Sequence, residues 1–420
     1  MFEPVFCVGG GLSASSVGRL IVVTNQRPFP TFHGANADAG RLILALRSAG
    51  WKMMLVSWGD SITEDSGLVV INSVVERYVE ESMCAVSPKL ERRIPAFAQA
   101  RALAEGRRDE IVAEARRFAP DLVLSIGLYG ASLGVHIARS LGVHHVYRSQ
   151  AIEHEYHAQL FDLARQRTPL SVVGRALRMV HDGSRQRAIA RVEESVLGSS
   201  QVVLEISAQD AEIRRSRCGL RIEHLPPCAP EVDDPGTGER PIDVLYLGNL
   251  FMENNRVGLI WFLDEVFPIL RLARPHIKVT VAGKSFDRSF EQWIAETGAL
   301  VLPNVADAHR LFRSAKVAVN PIFSGNGTNV KTIDALWCGC GLVTTAVGIQ
   351  GYDAFEYGLN LRVANSPVEF ACAVLDRLAR WPSCSPKAQH NRLLRYSIAA
   401  QGNRISQIFS TLGPARSAAV

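Results

Sequence analysis

One sixteen-residue window divides this chain. Pro226, Pro227, Pro230, Asp233, Asp234, Pro235, Gly236, Gly238 and Pro241 all fall inside it. Pro and Gly punctuate regular structure, and almost nothing in such a stretch can be buried. A linker is therefore expected at 230–240, with a separate fold on each side. Before it, short Val/Ile/Leu-rich runs at Leu20–Thr24, Met53–Ser57, Leu122–Ile126, His144–Arg148 and Val202–Ile206 have the composition of strands buried on both faces. Helical patterns lie between them at Ala39–Ser48, Ala96–Phe118, Ala131–Ser140 and about Val172–Leu197. After it the alternation starts again. Strands are expected at Val244–Leu247, Lys278–Ala282, Leu300–Leu302, Val317–Asn320 and Leu342–Thr345. Helices are expected at about Val257–Arg271, Phe286–Thr297, Asp307–Ser314, Asn329–Cys338 and Val368–Ala379.

Strand and helix alternating twice over predicts α/β architecture: two doubly wound, Rossmann-like domains facing a central cleft. The expected division is a leader at 1–18, a first domain at 19–229, the linker, a second domain at 241–382, and a helical tail at 383–420. The tail should pack on one of the domains. In such sheets ligands bind at the carboxyl ends of the strands.

Composition closes off several other classes. Of 420 residues, 47% are hydrophobic and 21% charged, which excludes a disordered or low-complexity chain. No apolar run reaches the roughly 18 residues that span a bilayer. Met1–Gly11 has no basic residue before its apolar stretch, so it is not read as a signal peptide. Eight scattered Cys then suggest a reducing cytoplasm. A net charge of +5 is too small to argue for nucleic acid. Only seven of the 46 basic residues are Lys, which singles out each Lys in a chain whose usual cation is Arg.

The most informative segment is Gly325-Asn326-Gly327-Thr328-Asn329-Val330-Lys331, between a strand and a helix. Its glycines allow backbone to approach a ligand, Thr328 can cap the helix, and the amides with the helix dipole favour an anion such as phosphate. Lys331 on the first turn opposes the dipole, which an anion between them would explain. The plain alternative is a capped loop with a solvated Lys. Asp334, three residues on, can accept ribose hydroxyls or pair with Lys331. Together these suggest a nucleoside diphosphate. The segment is not a Walker A loop, because Val330 stands where Gly must precede Lys. Gly9-x-Gly11-x-x-Ala14 is discounted as a dinucleotide fingerprint: it precedes the first convincing strand and lacks an acidic ribose partner.

Here the second half resembles GT-B glycosyltransferases of family 4. The resemblance rests on Leu247-Gly248-Asn249, Asn254-Asn255, Trp261-Phe262, Val281-Ala282-Gly283-Lys284, Leu302 to Asp307, Ala318 to Pro321, the loop into Asp334-Ala335, Gly339, Val343 to Thr345, and Gly348 to Gly351. It implies that Gly248 and Asn249 approach the diphosphate and that Lys284 and Lys331 neutralise it. It also implies that Val305 meets the base through its backbone and Asp334 binds ribose, with Gly325, Gly327 and Thr328 in the donor loop. Two positions depart from the pattern. Asn326 replaces the first residue of the family's paired glutamates, and Asn249 replaces an Arg, which throws more of the diphosphate's charge onto the two Lys and Arg256.

The first half resembles the family more weakly. Val22-Val23-Thr24, Pro28, Pro30, Gly34 and Gly40-Arg41 look like the acceptor-domain opening, with Gly34 facing the donor phosphates. The segment Tyr147–Tyr156 matches one that often reads Ser-His-Asn-Ile-Glu, so Gln150, Glu153 and His154 are candidates near the donor sugar; Gln150 and His154 join the two Lys as catalytic candidates. His154 is equally readable as an ordinary histidine. Arg165–Arg191 holds seven Arg and one Asp among near-helically spaced apolar residues, which suits either an anionic membrane surface or a solvated face over a buried stripe. Cys338 and Cys340 read as buried thiols. His144 and His145 point to opposite faces of a strand, so they do not ligate together, and no metal site is expected.

The sequence thus predicts a metal-independent glycosyltransferase without a cofactor, using a nucleotide-sugar donor and a glycan or lipid-linked acceptor. The resemblance implies retention of configuration and a role in surface polysaccharide assembly, in the cytoplasm or at the inner face of its membrane. The alternatives are a nucleotide-sugar epimerase of the same architecture or an inactive nucleotide- or sugar-binding module.

Overall fold

Leu20–Val23 and Val202–Leu204 have no exposed residue, as a strand covered by helices on both faces requires. The computed structural model describes residues 17–24, 34–58, 68–73, 109–167, 171–232, 238–284, 287–352, 360–381 and 386–413. The first sheet has seven parallel strands in the order β3-β2-β1-β4-β5-β6-β7. These are β1 (Gly18–Thr24), β2 (Trp51–Trp58), β3 (Leu68–Ser73), β4 (Leu122–Ile126), β5 (His144–Ser149), β6 (Val202–Glu205) and β7 (Ile222–His224). The helices between them are α1 (Gly34–Ser48), α2 (residues 109–118), α3 (Leu128–Leu141), α4 (Glu153–Arg167), α5 (Val172–Leu197) and α6 (Ala208–Arg217).

The second sheet has six parallel strands in the order β10-β9-β8-β11-β12-β13. These are β8 (Ile242–Leu247), β9 (Val279–Gly283), β10 (Leu300–Pro303), β11 (Ala315–Asn320), β12 (Gly341–Thr344) and β13 (Leu361–Val363). Its helices are α7 (Glu253–Trp261), α8 (Phe267–Ala273), α9 (Arg288–Glu296), α10 (Ala308–Ser314), α11 (Val330–Trp337) and α12 (Pro367–Ala379). Strand order reverses between β1 and β4 in one sheet and between β8 and β11 in the other. At such a switch point adjacent crossovers run to opposite faces and leave a crevice beyond the strand ends.

Each sheet is covered on both faces. Leu20, Val22 and Leu124 face one core of the first domain, and Ile21, Val23 and Val123 the other. Val244 and Tyr246 divide from Leu245 in the same way in the second domain.

The C-terminal segment forms α13 (Pro386–Leu393), a 3₁₀ turn (Leu394–Tyr396) and α14 (Ile398–Ser410). The sequence suggests one unbroken helix from Lys387. The break comes where Ser397 takes an extended conformation and accepts a hydrogen bond from the Ala400 N–H, starting a new helix. α14 returns to the first domain. Ile405, Ile408 and Phe409 join the core around Leu42 and Leu46, Phe409 meets Trp51 edge-to-face at 5.4 Å, and a Cβ on Gly402 would lie 2.2 Å from the Ala45 carbonyl oxygen.

β3, β7 and β13, which are edge strands of the two sheets, are not expected from sequence. The expected helix Ala96–Phe118 is helical from residue 109. Its earlier part, the leader residues 1–16, Pro28 and Pro30, and linker residues 233–237 lie outside the described residues.

Candidate active site

The switch point of the second sheet gathers the segments singled out from sequence. Gly248 and Asn249 leave β8, Gly283 and Lys284 leave β9, and residues 321–329 lead from β11 into α11. Gly283 has φ of 144°, and a Cβ there would lie 1.8 Å from the Gly248 carbonyl oxygen. Only glycine permits that approach. Asn249 organises the turn: its side chain accepts from the Phe251 N–H at 3.1 Å, and its carbonyl accepts from the Asn255 amide at 2.9 Å. The other end of that amide, Asn255 Oδ1, accepts from Lys331 Nζ at 2.9 Å.

Lys331 therefore points across the crevice toward the β8 turn, with its ammonium 5.4 Å from the Tyr246 ring centroid. It forms no ion pair among the described residues, and burial pushes its pKa down to about 7. The i,i+3 pair with Asp334 does not form. Lys284 is half-buried, and its carbonyl accepts from the Leu250 N–H at 3.0 Å. Val305 is partly buried against the second domain's core.

Asp334 is held by the other domain. Arg41 of α1 donates to both its oxygens, at 2.6 and 3.0 Å, and to the Cys228 carbonyl at 3.1 Å. Both side chains are buried. Burial opposes the Asp334 charge, but Arg41 and His309 outweigh it and hold the carboxyl below the usual range. The neighbouring Asp38, one turn earlier on α1, pairs with Arg148 at 2.8 Å.

The glycine loop docks on the first domain. The Gly325 N–H donates to Gln159 at 2.7 Å, the Gly327 N–H to Asp210 at 3.0 Å, and the Thr328 hydroxyl to the Ile206 carbonyl at 3.0 Å. Gln159 also donates to Asn326 at 2.6 Å, and Gln209 accepts from the Gly351 N–H at 2.8 Å. Gly327 has φ of 79°, and a Cβ there would lie 2.2 Å from the Gln150 carbonyl oxygen. The expected Thr328 cap is thus replaced: Asn329 occupies the N-cap without a side-chain bond, and the Thr328 hydroxyl is spent across the cleft.

Of the first domain's candidates, Gln150 is brought against this loop through its backbone. His154 turns to α5, where Nδ1 lies 2.6 Å from Glu193 Oε2, and that bond raises its pKa. Arg214 ties Glu193 to Glu205. Gly34 begins α1. His145, between Ser125 and Ser200 at 2.9 Å each, is pushed down to about 3 by burial and is structural. Cys338 and Cys340 are buried free thiols, and burial raises both pKa values.

Sequence reasoning did not single out Gln159, Asp210 or Glu193 as site residues, and it named Arg41 only within a motif. Polar residues on helices carry no local mark that a second domain will meet them. Among the described residues no His/Cys/Asp/Glu group is arranged to hold a metal ion.

Residues 241–380 match the family described as Glycosyl transferases group 1. A relative from Klebsiella pneumoniae, described as an uncharacterized 44.6 kDa protein in the cps region, is 32% identical over 142 residues. That stretch is 32% of this chain and 36% of the relative, so the match covers about a third of the relative's length. Among solved structures the chain is similar to sucrose-phosphate synthase from Thermosynechococcus elongatus, at 16% identity and a TM-score of 0.67 over 94% of this chain and 99% of that one. It is similar to Anabaena HepE in complex with UDP and glucose, at 13% identity and 0.56 over 94% and 100%. A third is WaaG, a glycosyltransferase involved in lipopolysaccharide biosynthesis, at 15% identity and 0.56 over 92% and 99%. Residues 241–380 thus resemble the Glycosyl transferases group 1 family, and the chain as a whole has the GT-B fold.

Proposed function

We propose that this protein is a glycosyltransferase that moves a sugar from a nucleoside-diphosphate donor to an acceptor hydroxyl in the interdomain cleft. The observation that carries this reading is Lys331: a half-buried cation without an ion pair among the described residues, on the first turn of α11, at the switch point of the second sheet. A diphosphate is the group that such a cation, the helix N-terminus and Lys284 would together hold. In transfer, the bond from the anomeric carbon to the phosphate oxygen breaks and one to the acceptor oxygen forms. The acceptor's proton passes to the departing phosphate. Lys331 and Lys284 stabilise the charge that develops there, and closure of the first domain excludes water. Acceptor attack on the face that the leaving group vacates gives retention, as the family resemblance implies.

UDP is the first nucleotide to test, since HepE binds it. A surface-polysaccharide setting is supported by the cps-region relative and by the likeness to WaaG. A cytoplasmic reaction with a lipid-linked acceptor at the membrane's inner face would suit α5. Leu177, Met179 and Val180 are exposed there, with Arg187 and Arg191 exposed further along the helix. That pattern fits shallow contact with anionic lipid. No helix among the described residues is long and apolar enough to cross a membrane.

The test is a thermal-shift panel of UDP, GDP, ADP and dTDP on wild type and Lys331→Ala. A ligand at a hundred times its Kd adds about 2.7 kcal/mol of stability. One nucleotide should raise the melting temperature of wild type and not of the variant. Turnover of the matching sugar donor should fall by two orders of magnitude or more in the variant. Equal shifts and equal turnover in both proteins would refute the assignment. Acceptor-independent epimerisation of the donor would favour an epimerase, and nucleotide binding without transfer or hydrolysis would favour a binding module.

A further inference from the structure

Asn255 lies on the first turn of α7, and each of its polar groups is bonded. Its N–H donates to Asn254 Oδ1 at 2.9 Å, and its carbonyl accepts from the Tyr246 hydroxyl at 2.8 Å. Nδ2 donates to the Asn249 carbonyl at 2.9 Å, which fixes which end of the amide is oxygen. Oδ1 is then the end that meets Lys331 Nζ at 2.9 Å. A flipped amide would set oxygen against the Asn249 carbonyl and an N–H against the ammonium. Both contacts would be repulsive, so the side chain has one orientation.

The charged groups nearby are spent on other partners. Arg256, the next residue on α7, pairs with Asp287 at 2.9 Å and stacks over the Phe290 ring at 3.9 Å. The diphosphate charge that the sequence assigns partly to Arg256 therefore falls back on the lysines. Asp334, one turn on from Lys331, is held by Arg41. Tyr246 faces Lys331 from β8, and burial raises its hydroxyl pKa, so it stays neutral. Burial alone displaces the Lys331 pKa.

The partner chosen for Lys331 is thus a neutral dipole. An ammonium has three donors. One goes to Asn255, and the other two meet no acceptor among the described residues. A carboxylate at this position would hold the ammonium as firmly, but would cancel its charge and compete with any anion in the crevice. An amide gives direction and leaves the charge uncompensated.

We propose that Asn255 is a positioning residue of the donor site: its amide, locked by Asn249 and Tyr246, aims the Lys331 ammonium at the diphosphate and keeps the whole of its charge for that ligand. Asn255 acts through Lys331. The assignment rests on Lys331 being the diphosphate's cation.

Seven lysines in the chain make a direct measurement practical. In full-length protein labelled with carbon-13 at the lysine ε position, the signal lost in Lys331→Met identifies Lys331, and its pH titration reads the ammonium. The same samples are titrated calorimetrically with UDP and with inorganic pyrophosphate, which needs no matching base. Asn255→Asp keeps the size of the side chain and sets a carboxylate beside Nζ. It should raise the Lys331 midpoint by about one pH unit or more and weaken both ligands about tenfold or more. Proton uptake on binding above pH 7 should disappear with it. Asn255→Leu removes both amide bonds at similar volume. It should release the ammonium to water, moving the midpoint toward the roughly 10.4 of an unfolded lysine, and should weaken both ligands as well. A role confined to shaping the turn would leave the midpoint in place. An unmoved midpoint in either variant, or undiminished binding in both, would overturn the positioning role. Binding lost in Lys331→Met yet kept in both Asn255 variants would overturn that role alone. Binding that Lys331→Met leaves unchanged would overturn the donor reading and the positioning role together.

Discussion

Lys331 carries its charge where burial resists it. Its pKa is pushed down to about 7, against about 10.4 for an unfolded lysine. Between those values the unfolded chain binds more protons than the folded one. The group's penalty on stability is therefore full below about pH 7 and is relieved as pH rises toward 10. A bound diphosphate favours the ammonium and raises its pKa. Nucleotide binding above pH 7 should then take up a proton, and affinity should fall by up to about tenfold per pH unit. Titrations in two buffers of different ionisation enthalpy would read that proton, and it should vanish in Lys331→Met. Arg41 makes the complementary case. Removing it leaves the Asp334 carboxylate buried and unpaired, so Arg41→Ala should cost about 3–5 kcal/mol of unfolding free energy. Arg41→Lys should recover only part of that, since an ammonium cannot reproduce the bidentate contact. Urea melts of the two variants, with Asp334→Asn closing a double-mutant cycle, would measure it.

At the scale of elements, the glycine loop is what the domains close upon. Its amides at Gly325 and Gly327 meet Gln159 and Asp210, and the absent side chain of Gly327 leaves room for the Gln150 carbonyl. Gly327→Ala would place a methyl group 2.2 Å from that oxygen at a φ of 79°. Each domain should still fold, while the docked arrangement is lost. Small-angle scattering should show a larger radius of gyration, and transfer should fall with it. An unchanged radius would mean that the contact is not what holds the cleft shut. The same loop marks how far local reading reaches. Its place between strand and helix was legible from glycine spacing. The destination of the Thr328 hydroxyl was not, because capping rules describe one helix and the Ile206 carbonyl belongs to another domain.

At the scale of the whole molecule, the chain crosses between domains twice, once through the Pro/Gly segment and once through the returning α14. Phe409 packs on Trp51 in the first domain's core. Phe409→Ala should therefore destabilise the first domain by about 3–5 kcal/mol, even though the residue lies some 170 positions beyond the linker in sequence. Denaturation followed by Trp51 fluorescence, with the other tryptophans replaced, would detect it. A transition unchanged in the first domain would show that α14 is dispensable there.

The sequence by itself determined the doubly wound architecture and pointed to the candidate site in the second half. Apolar strands buried on both faces, glycines at strand ends and a Pro/Gly linker are local necessities, each visible within a few residues. The tertiary structure alone decided which groups meet across the cleft. Arg41 and Asp334 stand 293 positions apart, and Asp210 and Gly327 stand 117 apart. No periodicity or spacing encodes such pairs, because they depend on the angle at which two independently folded sheets face each other. The tail's destination was settled in the same way. An amphipathic helix declares that it must be covered, and only the shape of the surfaces within reach decides by what.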